Sequence, residues 1–414
     1  MEGTSSRRSF LAAGLALPSA AGMDSPPRPL SGRKSSVELR YRTLGETGLK
    51  VTEVGCGSEA VSDISVLQRA VDLGINFFDT ARPYQGGDNE RFLAAALRGR
   101  RDKVILSSRS YERDARSIQA DLDTSLKQLA TDHLDIWYIG DKDKPADVTD
   151  AMLEVQAAAQ KAGKIRFKGF STHRLSEMVP FILNRGHFDV VQTPYNFAMG
   201  TARDSMKIFA AGLEESLERL HRAGIGVVAM KVMAGGYQAR RPADPLYPVY
   251  RRSGAHAAAL RWALRHDRIS TTSVRMTDRE QLEENILAMA SPYSQEDEKI
   301  LRAHLDQIRG VLCRMCGSCD GACPKGLPVC DLVRFATYAD GYRHFPMGQE
   351  RFARLPVELQ RVIISQQVHP AKRHRRVVAH QRPLRPQPSP LIGVQQLDQR
   401  LHRIERPALI PPRR

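Results

Sequence analysis

The sequence predicts an α/β chain folded as a TIM (β/α)8 barrel, followed by a small ferredoxin-like iron–sulfur segment and a basic tail. Two observations carry this. Between Val51 and Ala290, eight apolar, β-branched runs alternate with amphipathic helical stretches at about thirty residues per unit. That is the repeat of a parallel sheet closed by crossover helices. Beyond it, five of the six cysteines fall between Cys313 and Cys330, which points to a local metal site rather than dispersed disulfides. A chain of 414 residues is long enough for one barrel with an appendage.

The chain opens with Ser6-Arg7-Arg8-Ser9-Phe10-Leu11, an apolar run to Leu17 and the small residues Ser19, Ala20 and Ala21. This reads as a signal peptide with the paired arginines of the twin-arginine route, and so as export to the periplasm by that machinery. With the polar, Pro-rich stretch behind it, it fills residues 1–36. The barrel is expected over 37–292, with strands ending near Gly55, Asp79, Ser108, Ile139, Phe170, Gln192, Met230 and Val274. The helices between them are expected at Ile64–Leu73, Arg91–Leu97, Ile118–Leu129, Met152–Ala162, Leu175–Leu183, Met206–Leu220, Ala257–Leu264 and Gln281–Met289. A doubly wound open sheet is the rival fold. It calls for a Gly-rich phosphate turn after the first strand, and Gly55-Cys56-Gly57-Ser58 lacks the later glycine.

Asn76-Phe-Phe-Asp-Thr-Ala-Arg-Pro-Tyr84 joins a strand end to a Pro-containing turn. It sets the carboxylate of Asp79 and the phenol of Tyr84 over the barrel mouth, a pairing suited to proton transfer. The bland alternative is a capping Asp and a packed Tyr. Taken with Tyr41-Arg-Thr-Leu-Gly-Glu-Thr-Gly-Leu, Phe78-Asp-Thr-Ala, Gln192-Thr-Pro-Tyr-Asn and Gln281-Leu-Glu-Glu-Asn285, the stretch resembles the aldo-keto reductases over roughly residues 38–292.

That resemblance implies an NAD(P)H-dependent barrel with a catalytic Asp, Tyr, Lys and His. Asp79 and Tyr84 match. Arg109 stands where the family has Lys, and Gly140 where it has His. Arg109 keeps a permanent charge able to act on the phenol, but as a bulkier fork. Gly140 leaves no donor for a carbonyl oxygen unless Asp141, Lys142 or His173 reaches in. For the cofactor, NADP(H), the resemblance implies Ser171, Thr172 and Gln192 at the nicotinamide, Arg275 at the 2′-phosphate, and Glu284 and Asn285 at the adenine and ribose. Gln281 replaces a basic residue, and Lys231 reads as packing its stem.

Cys313, Cys316, Cys319 and Cys323-Pro324 form the C-x2-C-x2-C-x3-C-P run of bacterial ferredoxins. It implies one 4Fe-4S cluster in segment 293–345, closed by Cys323 or Cys330, since no second run exists. Zinc sites more often split their cysteines into distant pairs. Cys56 reads as a small buried hydrophobe. Residues 346–414 are expected to be linker and disordered basic tail. From 361 onward they hold eight prolines, seven glutamines and +10 of the formal charge of +16. Similar proteins look as if they carry a second cysteine run here, which a reading-frame slip near Arg361 would erase. The body is almost balanced in charge, so no basic face calls for nucleic acid, and nothing approaches a membrane span. The function expected is an exported oxidoreductase acting on a small carbonyl or alcohol, with a redox partner protein for the cluster. The other expectation is a barrel that has lost catalysis and serves as scaffold or electron-transfer partner.

Overall fold

The computed structural model describes residues 38–59, 61–200, 204–234, 254–308, 312–313, 319–341 and 345–361. The signal-like N-terminus, Cys316 and the tail from 362 lie outside the described residues.

An antiparallel hairpin comes first (β1, Tyr41–Thr43; β2, Lys50–Thr52). The barrel strands follow as β3 Val54–Gly57, β4 Phe77–Asp79, β5 Ile105–Ser110, β6 Leu134–Ile139, β7 Ile165–Ser171, β8 Val190–Pro194, β9 Gly226–Met230 and β10 Thr271–Arg275. All neighbours pair in parallel, and β10 pairs back onto β3 to close the ring. Closure excludes the open-sheet rival. Each strand ends within two residues of its expected position.

The surrounding helices are α1 Ile64–Asp72, α2 Asn89–Leu97, α3 Ala115–Leu129, α4 Asp150–Lys161, α5 Leu175–Arg185, the short α6 Phe197–Gly200, α7 Asp204–Arg222, α8 Ala255–Leu264 and α9 Arg279–Leu287. Several start where a side chain accepts from a first-turn N–H: Asp63 from Ser65, Asp114 from Ser117, Asp278 from Gln281.

Strands buried on both faces explain why the sequence shows continuous apolar runs rather than alternation. Period two still sorts the side chains. Phe77, Ile105, Ile136, Tyr138, Val190 and Val228 fill the barrel interior. Phe78, Leu106, Trp137, Ile139, Phe170 and Val191 face the helices. The hairpin plugs the interior from the strand N-terminal end, where Leu44, Leu49 and Val51 join the inner cluster. Gly45 is required there. Its φ is +54° and a Cβ would stand 2.3 Å from the Gly226 nitrogen.

Two features depart from the expected boundaries. The stretch assigned to the iron–sulfur segment begins with α10, Gln295–Ile308, which packs on the barrel instead. Leu301 joins the outer core, and Asp297 accepts from Arg261 of α8 at 3.0 Å. The stretch assigned to linker begins with a helix. After α11 (Val329–Ala336) and a π turn over Thr337–Gly341, α12 spans Phe345–Ala353 and ties back to the barrel through an Arg351–Asp141 ion pair. High charge masks the amphipathic pattern of α10, whereas α12 carries only Glu350 and Arg351. Among the described residues no helix is long and apolar enough to cross a membrane.

Candidate active site

Inward alternation carries Asp79, Arg109, Ser171, Gln192 and Ser273 to the C-terminal mouth of the barrel, where such folds place their chemistry. Asp79 is the hub. Its carboxylate pairs with the Arg109 guanidinium and accepts from Ser107 Oγ at 2.6 Å, Ser273 Oγ at 3.0 Å and Gln192 Nε2 at 3.2 Å. Arg109 also donates to Gln192 Oε1 and to the Thr80 carbonyl, with its fork 5.0 Å from the Tyr138 ring centre. Burial disfavours the charged guanidinium, yet Asp79 together with Tyr84, Tyr111 and Tyr138 outweighs it and holds Arg109 above its ordinary pKa.

Asp79 and Tyr84 both line the mouth, but the hydrogen bonds of Asp79 among the described residues go to Arg109, Ser107, Ser273 and Gln192 rather than to Tyr84. Tyr84 opens the turn after β4 and instead accepts from the Tyr111 hydroxyl at 3.4 Å. Burial pushes the Tyr84 phenol well above its usual pKa. Tyr111 adds to the shift, and Arg109 offsets only part of it. Gly140 is more than a lost donor. A Cβ there would sit 2.9 Å from Tyr111 Cδ1 and 3.0 Å from the Ser110 carbonyl oxygen, so the Tyr111 ring fills the place a histidine would need. Restoring Lys and His at 109 and 140 therefore also requires moving Tyr111. Lys142 does not reach in: its Nζ donates to the Tyr111 and Glu112 carbonyls.

The upper rim joins His173 and Lys231 to two residues the sequence reading passed over, Tyr338 and Arg351. His173 lies with Nδ1 3.0 Å from an Asp141 oxygen and 3.6 Å from one of Asp143. Burial, then Arg334, draws His173 down to about 4, so the ring is neutral. Lys231, expected to pack its stem, instead donates to Tyr338 Oη at 3.1 Å and sits 4.4 Å from that ring's centre. Tyr338 comes from the π turn after α11 and is 3% exposed. Its hydroxyl lies 3.5 Å from His173 Nε2. Arg351 from α12 stacks over Tyr111 at 4.6 Å.

Charges around the mouth are matched in pairs: Asp79 with Arg109, Asp141 with Arg351, Asp143 with Arg334 at 2.7 Å, and Glu59 with Arg275 at 2.8 Å. Asp141, Asp143 and His173 converge closely enough to hold a cation, but Arg334 and Arg351 already place positive charge there. What remains open is a cavity of about 130 Å³. Pockets for drug-sized ligands run to roughly 300–1,000 Å³, so the space left open among the described residues takes a small group.

Of the residues implied for the cofactor, Ser171, Gln192 and Arg275 line the cavity. Gln192 is committed to Arg109 and Asp79, and Arg275 to Glu59. Thr172 turns away and donates to Asp143 at 3.0 Å. Glu284 faces His256 at 3.7 Å, and Gln281 Nε2 donates to Asp278 at 2.8 Å. Asn285 is buried with its Nδ2 unpartnered among the described residues.

Of the cysteines, Cys313 and Cys330 are buried, while Cys319 and Cys323 are half-buried. Cys319 is hydrogen-bonded to Cys330, and burial followed by Cys330 raises its pKa. Cys56 is fully buried and pushed up to about 12, first by desolvation and then by Asp79, as suits an inert thiol.

A closed (β/α)8 barrel with a charged, phenol-lined mouth at its strand C-termini defines the class to which this protein belongs. The aldo/keto reductase family model matches residues 52–306. The chain is 27% identical over 320 residues to L-galactose dehydrogenase of Arabidopsis thaliana, covering 66% of this chain and 97% of that one. It is 25% identical over 311 residues to an uncharacterised oxidoreductase of Bacillus subtilis, covering 65% and 97%. An aldo-keto reductase from Bacillus halodurans in its holo form shares the fold, with a TM-score of 0.53, 24% identity and coverage of 64% and 96%. The chain belongs to the aldo/keto reductase family.

Proposed function

We propose that this chain is an exported oxidoreductase that reduces a small carbonyl compound, or oxidises the matching alcohol, with a nicotinamide cofactor, and that it carries one 4Fe-4S cluster. The observation behind this reading is the cavity itself. A paired Asp79–Arg109 floor lies beneath three phenols, a neutral imidazole and an ammonium, all lining one small space. A reduced nicotinamide bound there supplies a hydride, and the protein must deliver a proton to the oxygen. Ser171, which lines the cavity, would meet the nicotinamide amide, and Asn285 Nδ2, unpartnered among the described residues, fits an acceptor on the adenosine side. A 2′-phosphate at Arg275 would have to displace Glu59.

The tetrad is degenerate in this reading. Arg109 is spent on Asp79, and Gly140 presents no donor. Losing one oriented donor costs two to three orders of magnitude in rate, so proton delivery by Tyr84 is expected to be slow. Anaerobically purified full-length protein is expected to quench or enhance NADPH fluorescence on titration and to oxidise it with small carbonyl compounds. If neither NADPH nor NADH binds, the barrel is the scaffold of the rival reading.

The cluster rests on Cys313, Cys316 and Cys319, with Cys330 favoured over Cys323 as the fourth ligand because it already contacts Cys319. The same preparation is expected to contain about four irons and four sulfides per chain. About eight would require ligands from elsewhere, and none would remove the cluster from the reading. Single electrons would then pass to a redox partner protein. Export rests on Arg7 and Arg8. Changing both to lysine is expected to strand the precursor in the cytoplasm. Unchanged fractionation between cytoplasm and periplasm would rule export by this route out.

A further inference from the structure

We infer that Tyr338, set between Lys231 and His173, is the proton donor to the substrate oxygen, and that the segment after the barrel thus rebuilds the Tyr–Lys–His set lost at positions 109 and 140. The inference rests on the carbonyl reading above and names the acid that reading requires.

The geometry is that of an activated phenol. Lys231 Nζ donates to Tyr338 Oη at 3.1 Å, and the same oxygen lies 3.5 Å from His173 Nε2. All three residues line the cavity, together with Tyr84 and Arg109. Asp141 and Asp143 lie 3.0 Å and 3.6 Å from Nδ1 of His173, which forms no hydrogen bond among the described residues, so either ring nitrogen can carry the proton. With the proton on Nε2, His173 and Lys231 both donate to Tyr338 Oη and leave the hydroxyl proton free for the substrate, and the charged form of Lys231 stabilises the phenolate that forms. When a hydride reaches the carbonyl carbon from the reduced nicotinamide, the Tyr338 O–H bond breaks and its proton goes to the oxygen. The alcohol leaves, and solvent reprotonates the phenolate. Oxidation of the alcohol runs the same steps backward, with a phenolate as base.

Lys231 is suited to the part. Burial draws it down to about 7, with Arg334 and Arg275 working in that direction and Glu59 and Asp143 against it. The backbone singles it out as well: Lys231 sits at φ +54°, a strained angle for a residue with a side chain, at the end of β9. The hydrogen-bonding neighbour of Tyr84 is another phenol, and Arg109, the cation that acts on it, is paired with Asp79.

The test uses the full-length protein and compares Tyr338→Phe, which keeps the ring over Lys231, with Tyr84→Phe. Tyr338→Phe is expected to lower the single-turnover rate about a hundredfold or more, the span of general acid catalysis. NADPH affinity should be unchanged, and Tyr84→Phe should alter the rate by less than about tenfold. Lys231→Arg should retain more rate than Lys231→Met. A second readout needs no turnover. Isotope-labelled acetamide offers an unreactive carbonyl small enough for the cavity, and its infrared stretch should shift downward on binding to wild type and to Tyr84→Phe, but not to Tyr338→Phe. A shift that depends on Tyr84, or no binding of acetamide, overturns the inference while leaving nicotinamide binding intact. A shift that depends on Tyr338 in a protein that binds no nicotinamide upholds the donor and sinks the carbonyl-reductase reading instead.

Discussion

Replacing Arg109 by methionine is expected to destabilise the barrel by roughly 3–5 kcal/mol, the usual cost of removing one partner of a buried ion pair. The mechanism is the stranded carboxylate. Asp79 is 3% exposed, and without the guanidinium it would keep only neutral donors from Ser107, Gln192 and Ser273. Those three bonds place the expected value at the lower end of the range. The Tyr138 ring loses its stacked cation as well. Asp79→Asn should cost a comparable amount by stranding the guanidinium, whereas the double variant should cost less than the sum of the two. Urea midpoints of the three variants and wild type measure this. A loss below about 1 kcal/mol for Arg109→Met would show that the pair serves chemistry alone.

Acid should weaken the fold through histidines that the interior keeps neutral. His173 and His304 are both drawn from 6.5 to about 4, chiefly by burial, with Arg334 adding at His173 and His256 at His304. The unfolded chain takes up these protons near pH 6.5 and the folded chain only near pH 4. Stability is therefore complete above pH 6.5 and falls as pH drops through that window. A full shift of this size corresponds to roughly 3 kcal/mol per histidine, so the two together approach the whole stability of an ordinary domain. His187 moves in the same direction from a half-buried position. Tryptophan fluorescence in urea at about pH 7 and about pH 4.5 should show the midpoint collapsing, and His304→Leu should remove its part of the slope. A midpoint indifferent to pH across that range would mean that these rings are already hydrated in the folded state.

The barrel was legible because its signals are local and repeated. Parallel strands buried on both sides leave continuous runs such as Leu134–Ile139, and helix starts carry Asp caps. The floor of the mouth was half legible. Asp79 and Arg109 both lie at the mouth, but their pairing was not legible, since strand order alone does not say which inward side chain meets which. Gly140 shows the same limit. As a residue it reads as an absence, and only the Tyr111 ring beside it shows that the space is taken. The rim was least legible. Tyr338 and Arg351 belong to a stretch whose cysteines and charges dominate its pattern, and they reach the mouth through long-range ion pairs such as Arg334–Asp143 and Arg174–Asp320. The amphipathic run Val329–Ala336 was the available signal that this segment lies against something.

Tyr338 meets Lys231 across 107 positions and His173 across 165. Synthesis therefore sets an order. When Arg275, the last residue of the barrel ring, is made, some sixty residues remain before Tyr338, which at about 5–20 residues per second is an interval of seconds. During it the nascent barrel can close around its core while its mouth stands open. The final segment then brings Tyr338 and Arg351 to the wall of that mouth, so the cavity is completed only after the ring that floors it.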